Sequence, residues 1–105
     1  MGNIVKLPKL IEFSSKRIIK KDVVEADGFN IALICLDTGQ EIPPHMEGYD
    51  AIFYVLDGDG VFTIGSEQIT AEKGSIVISP KEKERGIKCL KQMSLLGIRE
   101  EIKSK

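Results

Sequence analysis

The polar cluster His45-Met46-Glu47-Gly48-Tyr49-Asp50 and the later Arg85 hold the side chains best suited to chemistry, and His45 is the only histidine in 105 residues. An imidazole exchanges protons near neutral pH, so His45 is the one candidate general acid or base, with Tyr49 and Tyr54 as candidate second proton donors. A guanidinium grips a carboxylate or phosphate through two parallel hydrogen bonds, which makes Arg85 an anion fork with His45, Glu47 and Tyr49 as polar neighbours. A metal centre that needs two imidazoles cannot be assembled from one such chain. Iron, nickel and zinc prefer imidazole or thiolate, which leaves only an oxygen-rich set of His45, Glu47 and Asp50, suited to manganese or magnesium. Alternation along a strand beginning at Ala51 would aim Asp50 away from that set, so no metal and no cofactor is expected.

Short strands must position these side chains. From Phe29 onward, β-branched and aromatic runs alternate with glycine or proline, and no window carries a helical apolar period. The predicted strands are residues 17–21, 29–37, 51–56, 61–64, 67–71, 75–79, 86–90 and 93–99, an all-β pattern suited to a sandwich or barrel. Asp57-Gly58-Asp59-Gly60 and Ile64-Gly65-Ser66-Glu67 read as tight hairpins, and Glu72-Lys73-Gly74 as a further turn, so adjacent strands are expected to pair antiparallel. Alternation places Ala51, Phe53 and Val55 on one face as an apolar floor, with Ile52, Tyr54 and Leu56 on the other. Residues 31–36 and 52–56 are apolar on both faces, which calls for a second covering layer. The N-terminal part, with Lys6, Lys9, Lys16, Arg17, Lys20 and Lys21, reads as a solvated edge strand over residues 10–25, because lysine discourages edge-to-edge association. The tail 100–105 carries no core signal and is expected to be exposed.

Fifteen basic residues against sixteen acidic ones, a formal charge of -1, argue against a nucleic-acid or anionic-membrane partner. The longest apolar run is far too short to span a bilayer, and the first ten residues lack a secretory core. Cys35 and Cys89 form no C-x-x-C pair and read as two reduced, buried thiols. One cytoplasmic domain over residues 1–105 is the expectation.

The stretch from Gly39 through His45, Glu47 and Ala51 to Gly58 resembles the first signature of the cupin family. Gly39, His45 and Gly58 match it, while its second histidine falls on Glu47 and its glutamate on Ala51, with Asp50 one position earlier. The second signature is matched by Gly74 and Pro80, while its inner glycine falls on Glu82, its histidine on Arg85 and its asparagine on Cys89. The resemblance covers about residues 38–88. It implies a double-stranded β-helix, or jelly-roll barrel, with its core over about residues 29–99 and a degenerate metal site. It also implies that Glu47 and Arg85 converge on one point inside the barrel, where an ion pair with His45 beside it would span the place of the metal. The alternative is that Arg85 belongs to the charged, solvated loop 81–85.

Three functions remain in competition. The favoured one is a metal-free barrel whose mouth binds a small polar or anionic molecule, a small acid or a sugar derivative, through His45, Glu47, Tyr49, Phe53 and Arg85. The second is an isomerase- or oxygenase-type enzyme, with or without metal, for which His45 would be the acid or base; the loss of ligands turns the balance away from it. The third is a structural or regulatory module. The apolar outer residues Ile52, Tyr54 and Leu56 need a cover, and a homodimer is expected.

Overall fold

A computed structural model describes residues 3–101. Seven strands follow one 3-10 turn at Leu7–Lys9: β1 Ile19–Glu25, β2 Gly28–Leu36, β3 Glu41–Met46, β4 Ala51–Ile64, β5 Glu67–Glu72, β6 Ile76–Ser79 and β7 Glu84–Glu101. All pairings are antiparallel. The fold is the all-β jelly-roll barrel that the sequence predicts.

Two long strands serve both halves of the barrel. The C-terminal half of β7 lies between β2 and the start of β4, whose other edge carries β6, while β1 extends the sheet beyond β2. The N-terminal half of β7 lies between β3 and the end of β4, which also carries β5. The expected hairpin at Asp57-Gly58-Asp59-Gly60 is therefore not a turn. β4 runs through it with repeated register shifts opposite β7 and passes from one half to the other. Gly58 permits this, since its φ is +87° and a Cβ there would lie 2.1 Å from the Gln92 carbonyl oxygen.

β3 was not predicted, because Pro43 and Pro44 lack the N–H groups a ladder needs. It forms at the edge of the barrel, paired to β7 at Glu41, Ile42, His45 and Met46, with a register break at the two prolines. Glu100 and Glu101, expected in the exposed tail, pair with Phe29 and Gly28; the rest of that tail lies outside the described residues.

The barrel interior is packed solid at one end by Leu36, Val55, Phe62, Met93 and Leu95, all fully buried. Phe62 meets Phe53 at a ring-centroid distance of 5.8 Å. A second cluster, on the outer side of β1, β2 and β7, consists of Ile19, Leu33 and Cys35 covered by Leu7, Leu10, Ile11 and Phe13. The N-terminal segment is thus the missing layer over this part of the sheet, rather than a strand throughout. Lys21 fastens it by donating to the Leu10 carbonyl at 2.8 Å and to Glu12 at 2.9 Å, and its ammonium holds the Glu12 carboxyl below the usual carboxylate range. The two thiols are free and buried in different clusters, and burial pushes the Cys89 thiol up. Among the described residues, no helix is long and apolar enough to cross a membrane.

Candidate functional site

Opposite the solid end, the barrel opens into a cavity of about 440 Å³. Its walls follow from strand register. Asn30, Arg99 and Ala51 are successive partners across β2, β7 and β4, forming one inward row. Ala32, Gly97 and Phe53 form the next row. Across the cavity, His45 on β3 is paired to Arg85 on β7, which is paired to Ile64 on β4. All five predicted site residues, His45, Glu47, Tyr49, Phe53 and Arg85, line this one space. Lys20, Asn30 and Arg99 line it too, and sequence reasoning had not singled them out.

Arg85 is only 5% exposed, which overturns its assignment to the solvated loop. Its Nη2 donates to the Tyr49 carbonyl at 2.5 Å and, more weakly, to the carbonyls of Ser79 and Pro80 at 3.4 and 3.5 Å. The guanidinium also lies 5.0 Å from the Tyr49 ring centroid, and the Arg99 guanidinium lies 5.6 Å from the same centroid. One aromatic ring is thus flanked by two cations, an arrangement favoured by the negative ring face. The Nε–H groups of both arginines are buried without a partner.

The predicted Glu47–Arg85 ion pair does not form. Glu47 Oε2 lies 3.0 Å from His45 Nε2 instead, while Arg85 is held by backbone carbonyls. Arg85 leaves β7 on the side where the loops at Tyr49 and Pro80 present their carbonyls, and these capture its donors. His45 Nδ1 lies 3.0 Å from the Pro43 carbonyl. A carbonyl and a carboxylate both accept, so the two His45 bonds are made together only when both ring nitrogens carry hydrogen. In that state the imidazole presents no free lone pair to a substrate or a metal.

Asp50 lies outside the cavity, where its Oδ1 accepts from the Lys81 backbone N–H at 2.8 Å, as alternation predicted. Tyr54 lies on the outer face, exposed, and does not line the cavity. The three-histidine metal centre of the resembled family does not fit these residues. Its positions hold the single imidazole of His45, the Glu47 carboxylate beside it, the methyl of Ala51 and the guanidinium of Arg85, a cation that would repel a metal. Among the described residues no group of three or more His, Cys, Asp or Glu side chains is placed to hold a metal ion. What the cavity offers is positive charge: its lining holds Lys20, Arg85 and Arg99 against one carboxylate, Glu47, which lies beside His45, while Arg99 Nη2 has Glu101 Oε1 at 3.9 Å.

Solved structures share this fold. TT1209 from Thermus thermophilus superposes with a TM-score of 0.87 at 22% identity, over 94% of this chain and 97% of that one. An RmlC-like cupin protein from Desulfovibrio desulfuricans gives a TM-score of 0.79 at 24% identity over 95% and 94%. The conserved protein SPY1581 from Streptococcus pyogenes gives 0.85 at 19% identity over 99% and 91%. No curated protein sequence matches the chain. The cupin domain pattern matches residues 32–98, more than half of the chain, and the protein therefore belongs to the cupin family.

Proposed function

We propose that this cupin binds a small anionic molecule in the mouth of its barrel, without a metal. The observation that carries the reading is Arg85: a buried guanidinium that lines a cavity, has an unpartnered Nε–H, and has no carboxylate paired to it among the described residues. A buried charge without a counter-ion costs several kcal/mol, by order of magnitude, and an anion seated beside it would offset that cost. Arg99 supplies a second cation across Tyr49, and Asn30 beside it and Lys20 on β1 add donors. His45 and Glu47 form a paired rim and Phe53 an apolar wall. Catalysis is the weaker reading, since His45 lies against Glu47 and the Pro43 carbonyl and, among the described residues, no other side chain is placed beside it as a second proton donor or acceptor for a substrate. We also propose that the protein pairs with a second copy through the exposed outer face around β6.

Thermal denaturation with a panel of small anions tests the binding reading. At a concentration one hundred times its Kd, a ligand stabilises by about 2.7 kcal/mol. For a domain of this size that is a rise in Tm of roughly 10 °C. We expect such a rise for at least one small carboxylate, and its loss in Arg85→Lys, which keeps the charge but not the fork. Arg99→Met, which leaves the carbonyl bonds of Arg85 intact, should weaken the same response. A panel that shifts neither the wild type nor the variants would end this reading.

A further inference from the structure

We infer that the ligand is an amphipathic organic acid, a carboxylate on an apolar aliphatic or single-ring body, rather than a polyhydroxylated sugar acid. The inference rests on the anion-binding reading above and names the class of anion. Two observations carry it. The two arginines and their shared ring sit together at one end of the cavity, in the rows of Asn30–Arg99 and His45–Arg85 and on the loop at Tyr49. On β2, β4 and β7 the next rows inward are hydrocarbon, Ala32, Gly97, Phe53, Ile34 and Ile87, and among the described residues Lys20, paired to Ile34 from β1, is the one polar side chain beside them, at the exposed edge of the same space.

A molecule gripped by the arginines must lay the rest of its body against those walls. A hydroxyl placed there would leave water without a replacement partner, at a loss of about tenfold or more in affinity for each. A methylene or ring placed there gains instead, by about threefold to fourfold for each buried CH₂. Space is sufficient, because a cavity of ~150 Å³ already accepts a benzene ring and this one is about 440 Å³. Gly97 lets the apolar wall close over it: a Cβ there would come within 3.3 Å of the Phe53 ring and 3.4 Å of Ile34 Cδ1.

Calorimetric titration of the intact protein with acetate, butyrate, hexanoate, benzoate, glucuronate and inorganic phosphate tests the proposal. We expect affinity to rise from acetate to hexanoate by about threefold per methylene. Benzoate should rank with hexanoate, and glucuronate and phosphate should bind no better than acetate. Ala32→Leu, which fills the apolar wall in the row below Arg99, should cut hexanoate and benzoate binding at least tenfold and acetate binding by less, and an equal loss for all three would count against the apolar wall. Should that variant fail to fold, the wild-type series decides alone. Glucuronate or phosphate binding as tightly as hexanoate would overturn the amphipathic class while sparing the anion site. If none of the six binds, both readings fall.

Discussion

Glu47 is the one carboxylate among the cavity-lining residues, and its charge opposes the anion that Arg85, Arg99 and Lys20 would attract. Its pairing with His45 blunts this opposition without removing it. Glu47→Gln should therefore tighten carboxylate binding by roughly twofold to tenfold at low salt, an advantage that shrinks as ionic strength rises. Because the His45–Glu47 pair is substantially exposed, its loss should change stability by less than about 1 kcal/mol. Titration of this variant across salt concentrations makes the comparison; weaker binding would mean that Glu47 itself contacts the ligand. At this scale the sequence was partly legible. His45, Glu47, Tyr49 and Arg85 were found because they lie in or beside motif positions, and Phe53 because it alternates with Ala51. Arg99 and Asn30 lie outside both motifs, yet each carried a readable signal, a polar residue in phase with inward apolar neighbours such as Leu95 and Ala32. The Glu47–Arg85 pair was misjudged because sequence places the charges near one another but says nothing of the carbonyls competing for them.

The strands that hold these residues depend on one close crossing. Where β4 passes from one half of the barrel to the other, Gly58 combines a left-handed φ with backbone from β7 pressed against its α-carbon. Gly58→Ala should cost at least about 3 kcal/mol, from backbone strain and the displacement of Lys91 and Gln92 together. Gly74→Ala is the matched control. Its φ is +90°, but nothing lies within 4 Å of the added methyl, so strain alone should cost about 1–2 kcal/mol. Chemical denaturation of the two variants separates the terms, and equal losses would show that the crossing is not tight. The Asp-Gly-Asp-Gly signal misled the sequence reading because the composition that makes a hairpin also makes a bulge. Only the partner strand decides between them, and β7 lies some thirty residues away. The strand at Glu41–Met46 was hidden for a related reason, since prolines silence the local signal but are tolerated at an edge whose pairing comes from elsewhere.

For the whole molecule, the unfinished surface is the outer face beyond the reach of the N-terminal segment. Ile76 and Ile78 on β6 are 64% and 68% exposed, and they adjoin Tyr54 and Ile52, which in turn pair with Leu96 and Ile98. Two apolar rows thus run across three strands toward water, and large contiguous patches of this kind mark contact surfaces. Among the described residues β6 pairs only with β4, and its four residues carry no charge to guard the open edge. The need for a cover was legible in the sequence at Ile52 and Tyr54, whereas Ile76 and Ile78 emerged only once β6 was placed beside them. A two-fold axis beside β6 would set the same rows of two copies against each other, with each partner's patch matching the other. A stable contact buries about 800 Å² on each side, more than β6 alone can supply, so the neighbouring rows must take part. Sedimentation at micromolar concentration should accordingly find a dimer. Ile76→Lys combined with Ile78→Lys should yield a monomer that keeps its carboxylate affinity, because the altered side chains lie outside the cavity. A wild-type protein that sediments as a monomer, or a double variant that stays dimeric, would remove this face as the interface.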